Sequence, residues 1–573
     1  MSYRLVLVIV LLLSGPVSTA SPSPAETIYV GRIITMAGQA EDPRARAEAV
    51  AVIGDRIIAV GTRKDVMRLR NRDTRVVELG RSAMLPGFID AHGHLTATAT
   101  SLAIANLSSP PVGEVSDIAT LKRTLRRFID DRKLSPGTVV IGFGYDDAQL
   151  AEKRHPTRDD LDDVSTDHPI FLSHVSGHLG AANSSMLKKA GIDATTADPE
   201  GGVFRRRDGS QEPNGVLEEA AMTLVRAKVP LPALEDSLKG LSAALTYYAS
   251  MGVTTVQDGA LMAPSRALLD EAARRELLTL DVVTYQLWMP IGMNLKDFVS
   301  AKSYDHRVKN HGIKLILDGS PQGKTAFLSQ PYRSPPAGKP ASYLGYPNLP
   351  APVIDRVVED AVQYDIPLLA HANGDAAAEL LIDAVAGARK KHPEKSPKVV
   401  MIHAQTVRDD QLDRMKALGI TPSFFVGHTY YWGDWHRDET LGPERAARIS
   451  PTRSALERGL NFTLHTDTPV VPPNMLRTLW SATTRRTRTQ DILGPSQRIS
   501  TWDALKGLTI NAALQEGDGE LKGSIEIGKQ ADFVVLSDDP LAVDPENLQQ
   551  ITVLETISRG KSVWRADGNA SAR

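Results

Sequence analysis

The sequence predicts an α/β fold: a (β/α)8 TIM barrel, an insertion after its first strand, and a small β-sandwich domain built from both chain ends. Three observations predict it. Eight strand-like runs, beginning near Met84, Val253, Asp281, Ile313, Ile366, Val399, Ile420 and Phe462, alternate with helical patterns, the signature of βα units on a parallel sheet. Both ends of the chain are β-rich. The gap between the first and second runs, about residues 100–245, is far too long for one helix and predicts an inserted subdomain over the barrel mouth.

At the start, Arg4 is followed by the apolar run Leu5–Leu13 and then by Ser18-Thr-Ala20. A positive start, an apolar core and small residues at the end predict a signal peptide over 1–20, hence export to the periplasm or the medium. The run is shorter than the roughly 20 residues a membrane span needs, so no stable anchor is expected after cleavage. Residues 26–83 hold short strands such as Thr27-Ile-Tyr-Val and Ala49-Val-Ala-Val-Ile, rich in β-branched side chains and punctuated by Gly and Asp. Asp532-Phe-Val-Val-Leu and Ile551–Trp564 repeat that style, so 26–83 and 515–566 form one composite β domain. The barrel takes 84–514, with amphipathic helices over 353–364, 376–389 and 409–418.

Composition excludes some functions. Lys and Arg number 66 against 68 Asp and Glu, a net charge of −2, and no basic run interleaves with aromatics, so a nucleic-acid partner is not expected. There is no Cys, which removes disulfides, thiolate ligands and thiol nucleophiles.

The chemistry gathers at strand ends. Pro86-Gly-Phe-Ile-Asp-Ala-His-Gly-His94 closes an apolar strand with His92-x-His94. Residues i and i+2 of a strand share a face, so both imidazoles can address one cation. His371 ends Pro367-Leu-Leu-Ala-His, His403 ends Val399-Val-Met-Ile-His, and Asp467 ends Phe462-Thr-Leu-His-Thr-Asp. Lys314 lies inside the strand that runs on to Asp318. Four histidines and an aspartate at one end of different strands make a metal-site constellation. Mixed His and carboxylate ligation suits a divalent metal such as Zn; Fe, Mn, Co and Ni also fit.

These motifs, with Gly252-Val-Thr-Thr-Val, Lys314–Ala326, His371–Ala376, Ile402–Gln405, Thr466–Pro469 and Gly523–Asp532, resemble the amidohydrolase superfamily in its "amidohydrolase 3" branch of YtcJ-like and N-substituted formamide deformylase-like proteins. The likeness runs from about Ile28 to Trp564 and is unspecific for substrate. It implies that His92 and His94 bind one metal and His371 and His403 a second. Asp467 would be ligand and proton shuttle, and Lys314 would carry a CO2-derived carbamate bridging the metals. It implies hydrolysis of a small molecule by metal-activated water, and is compatible with a homodimer.

The residues admit structural roles as well. His92 and His94 could be a buried hydrogen-bonded pair, His371 and His403 packing residues, Asp467 a helix cap and Lys314 a partner of Asp318. His178, after Ser173-His-Val-Ser-Gly, would hold substrate at the mouth or stand beside a turn. Asp318 joins the substrate-binding candidates. The aromatics Phe424 to Trp435, Trp432 and Trp435 among them, would line the pocket or pack under a loop. The leading function is cleavage of a C–N bond, an N-acyl or N-formyl amide. An esterase or lactonase using the same metals, a non-catalytic periplasmic binding protein and a metal-storage protein are the competing readings.

Overall fold

The computed structural model describes residues 24–566, apart from 231, 291–292 and 337. The signal-peptide reading of 1–20 falls outside the described residues. No helix among them is long and apolar enough to cross a membrane.

Eight strands form one parallel sheet in chain order: Phe88–Ile89, Val253–Leu261, Asp281–Leu287, Val308–Ile316, Leu368–Ala372, Val399–His403, Ile420–Phe424 and Thr463–Leu464. The fifth and sixth are buried at every position, as the near-continuous apolar runs of a sheet covered on both faces demand. The eighth strand meets the first just past their ends, where Asp467 N donates to His92 O at 3.0 Å and His94 N to Thr468 O at 2.8 Å. The bonds that close the barrel therefore run through three of the expected metal ligands. Helices pack outside: Ala351–Gln363 buries Ile354, Val357, Val358, Ala361 and Val362, one face at helical spacing.

The first barrel strand starts later than Met84. Residues Ala83–Pro86 pair with Leu536–Phe533 in a different, seven-stranded sheet. The chain changes sheets at Gly87, where a Cβ would lie 2.2 Å from Thr254 Cγ2; no larger residue fits beside the second strand. That seven-stranded sheet joins Thr27–Ile34, Arg46–Ile53, Arg56–Gly61 and Arg75–Pro86 to Phe533–Leu536, Val553–Ser558 and Lys561–Arg565.

The insertion carries its own six-stranded sheet, from Ala105–Asn106 to Pro213–Glu219, with an apolar cluster against each face. The helix Leu234–Ser250 leads into the second barrel strand and contributes to the barrel core, so the inserted unit ends ahead of it.

Candidate metal centre

His92, His94 and Asp467 bring ligand atoms within 4.8 Å of one another. His94 Nε2 lies 3.1 Å from Asp467 Oδ1, and His92 Nε2 lies 3.6 Å from the same oxygen. His403 Nε2 approaches the other carboxylate oxygen at 3.8 Å. The Lys314 amine stands 3.1 Å from His92 Nε2. The His371 ring sits 4.6 Å from that of His403, centroid to centroid. Five strand ends thus converge on one space.

The ring hydrogen bonds decide which nitrogens face it. His92 Nδ1 donates to Gln257 Oε1 at 2.7 Å. The Gln257 amide is held the right way round because its Nε2 donates to Ala91 O at 2.8 Å and to Glu516 Oε1 at 2.7 Å. His371 Nδ1 donates to Asp318 Oδ1 at 3.0 Å. A chain runs from His403 Nδ1 to His465 Nε2 at 3.2 Å, and from His465 Nδ1 to Ser423 Oγ at 2.8 Å. In His92 and His371 Nδ1 therefore keeps the proton and Nε2 presents a lone pair inward, the tautomer a metal ligand needs. His371 Nε2 meets the Asn373 amide at 3.3 Å, a long contact.

Electrostatics agree. Burial, then the neighbouring positive groups, holds His92, His371 and His403 well below the usual histidine range, so they are neutral. Burial pushes the Lys314 amine down to about 7, against the pull of Asp467. Burial alone would raise Asp467, but the His94 bond and the charges of His94, His465 and Lys314 lower it, leaving it ionised. Neutral imidazoles, an ionised carboxylate and an amine partly unprotonated at neutral pH, in a buried space, fit a cation. His403 and Asp467 also hold left-handed backbone, φ 70° and 58°, a strain that proteins retain chiefly at functional sites.

The expected substrate contacts have partners of their own within the protein. Asp318 is fully buried, and its oxygens receive His371 Nδ1, Asn373 N at 3.0 Å, Gly374 N at 2.8 Å and Phe327 N at 3.1 Å. It orients His371 and leaves no oxygen for substrate or for Lys314. Trp432 is buried, and its indole N–H reaches Asp146 Oδ2 at 2.6 Å, tying the barrel to the insertion. Trp435 donates to Gln322 O at 3.2 Å, with the Lys324 ammonium 5.0 Å from its ring centre. Both indole N–H groups are therefore engaged within the protein. His178 does arrive at the mouth: its ring centre is 4.9 Å from that of His371, and its Nδ1 donates to Glu219 Oε2 at 2.9 Å.

Gln257, His465 and Glu219 were not singled out from the sequence. Gln257 had a signal, being a polar residue near the end of a buried strand. His465 faces inward beside Asp467 by strand alternation. Glu219 had none, because only the fold carries the insertion to the barrel mouth.

A second group, Asp146, Asp147 and His174, lies in the insertion. His174 Nδ1 lies 2.8 Å from Ser176 Oγ, and Nε2 faces Asp147 Oδ1 at 3.1 Å. Burial opposes the charge, but bonds to Asp146 and Asp147 outweigh it and raise the ring to about 9. This is an ion pair with no free lone pair.

The model of the amidohydrolase family matches residues 75–564. This chain belongs to that family. N-substituted formamide deformylase of Arthrobacter pascens is 28% identical over 534 residues, 91% of this chain and 96% of its own length. YtcJ of Bacillus subtilis is 27% identical over 543 residues, 91% and 96% of the two chains. In structure, the barrel and its additions resemble an uncharacterised metal-dependent hydrolase from Pyrococcus horikoshii, with a TM-score of 0.70, 23% identity, and 91% and 99% of the two chains covered. The chain is a hydrolase of the amidohydrolase family, with candidate metal ligands at the barrel's C-terminal rim, where this architecture keeps its chemistry.

Proposed function

We propose that this hydrolase cleaves a C–N bond in a small N-acyl or N-formyl amine, with one or two divalent cations, zinc foremost, held by His92, His94, His371, His403 and Asp467. The observation that carries the reading is the set of inward-facing Nε2 lone pairs around an ionised Asp467. The relationship to a formamide deformylase across nearly the full length supports the amide bond. Cations bound there would acidify water towards a pKa of about 7 and polarise the carbonyl.

The chain's own groups do the remaining work. Asp467 Oδ1, 3.1 Å from His94 Nε2, accepts the proton of the attacking water. It returns that proton to the departing nitrogen, since an amine is a poor leaving group without a general acid. Burial opposes charge on the His178 ring, but Glu219, bonded to its Nδ1, outweighs it and raises the ring above the usual histidine range, so the charged ring can donate its Nε2 proton to the substrate carbonyl. Asp318 and the His465–Ser423 pair keep His371 and His403 in register. Lys314 is the proposed site of a CO2-derived carbamate: an amine at about 7 is nucleophilic at neutral pH, and no carboxylate competes for it within hydrogen-bonding distance among the described residues.

Elemental analysis of the purified protein beside Lys314→Ala tests the metal arrangement. About two metals per chain, falling in the variant, is the expected result. One in both leaves the hydrolase and removes the bridging lysine. None after reconstitution with Zn or Mn overturns the reading. Turnover of N-formyl and N-acetyl amines is expected to exceed that of matched esters and lactones; the reverse order makes the enzyme an esterase or lactonase. The sequence of residues 1–20 supports export, checked by N-terminal sequencing of the mature protein, with Ser21 expected first.

A further inference from the structure

The insertion delivers more than His178 to the barrel mouth. Its strand Pro213–Glu219 runs without a loop into the helix Ala220–Arg226, and Glu219 is the turn between them, at φ 48° and ψ −113°. A non-glycine residue is strained there. The sharp strand-to-helix turn thrusts the Glu219 side chain towards the barrel. Its Oε1 arrives beside Gly319, where a Cβ would lie only 2.5 Å away, so the loop after the fourth barrel strand leaves room for the carboxylate.

The two carboxylate oxygens differ. Oε2 accepts from His178 Nδ1 at 2.9 Å and from Asn348 Nδ2 at 3.4 Å. Oε1 is buried and has no hydrogen-bond partner among the described residues. The Asn348 and Asn373 side-chain oxygens share that condition. Their amides cannot simply be turned over: Asn348 Nδ2 points at Glu219 and Asn373 Nδ2 donates to Gly319 O at 3.0 Å, so both must face an acceptor. Around Gly319 the protein therefore buries three acceptor oxygens and supplies them with no donor. Such groups are costly unless something pairs with them. They stand on the His371 side of the metal centre, since Asn373 contacts His371 Nε2 and His178 packs on the His371 ring.

We propose that Glu219, with Asn348 and Asn373, forms a substrate subsite for a cationic nitrogen group rich in N–H donors, an amidinium, guanidinium or ammonium. The assignment rests on the amide-hydrolysis reading only for its meaning in turnover; binding is separable from it. Glu219 serves twice: Oε2 orients the His178 ring and Oε1 receives the substrate nitrogen.

Benzamidine and its neutral isostere benzamide are the probes, titrated calorimetrically into the metal-loaded full-length protein at neutral pH. The wild type is expected to bind benzamidine more tightly. A charge-assisted hydrogen bond lost on Glu219→Gln, which keeps the shape and replaces an acceptor by a donor, should erase that preference by about 10- to 100-fold. Metal content and circular dichroism verify that the variant is folded, and the wild-type comparison does not depend on it. Equal or reversed preference in the wild type, or a preference that survives Glu219→Gln, overturns the subsite. Glu219-dependent binding without hydrolysis of any amide leaves the subsite standing and removes the amide-hydrolysis reading. Hydrolysis with no preference for cationic substrates does the opposite.

Discussion

Replacing Gln257 by Leu isolates the control of one metal ligand from the ligand itself. Gln257 is buried, never reaches the cation space, and touches the site only by accepting the His92 Nδ1 proton at 2.7 Å. Leucine fills a similar volume and removes that acceptor. His92 then has nothing to hold its tautomer, and either ring nitrogen can carry the proton. Loss of such a partner weakens metal affinity about 10- to 100-fold, or about 1.4–2.8 kcal/mol. The same change removes one donor from Ala91 O and one from Glu516 Oε1, both of which Gln515 Nε2 still reaches, at 2.8 and 3.0 Å. Each hydrogen bond lost in this way costs about 0.5–1.5 kcal/mol of folding stability. The assay is competition with a chromophoric chelator for the tightest metal, beside urea unfolding of the metal-free protein. An unaltered metal affinity in a Gln257→Leu protein that is measurably less stable would refute the reasoning, because it would show that His92 needs no outside restraint.

Four further outcomes follow from the same structure. Burial depresses His436 to about 3. Unfolding therefore takes up a proton below about pH 6.5, and stability falls with pH between there and about 3 by roughly 1.4 kcal/mol per pH unit for each such group. His436→Gln should flatten the acid limb of a denaturation series by about that slope. Trp432→Phe removes the indole donor from buried Asp146; a stability loss of about 1–3 kcal/mol is expected, with faster proteolytic nicking of the insertion. Gly87→Ala drives a methyl into Thr254 and should cost about 1–3 kcal/mol, part of it recovered by adding Thr254→Ala. Chelation should lower the thermal midpoint, because a ligand held only by the folded state stabilises it by mass action; an identical midpoint in metal-loaded and stripped protein would argue against the centre.

Much of the architecture was legible along the chain because it is local. Strand runs, helical spacing and the His92-x-His94 pattern are properties of neighbouring residues, and eight strand ends on one rim follow once the alternation is seen. The ligand candidates could be nominated by position: His371, His403 and Asp467 each stop an apolar run. Their chemistry could not. Whether Lys314 pairs with Asp318 depends on where that carboxylate points, and three backbone amides and His371 claim it. Whether Trp432 lines a pocket depends on Asp146, which is 286 residues away in sequence. The handover between sheets at Gly87 is invisible in a run that reads as one strand from Met84 to Ile89. Glu219 has no motif at all; it matters because folding sets an insertion on the barrel and a strained turn aims one carboxylate at Gly319. Periodicity is written in nearest neighbours and so can be read from one chain, whereas tautomer, charge state and the pairing of buried polar atoms are set by groups that meet only when the chain has folded.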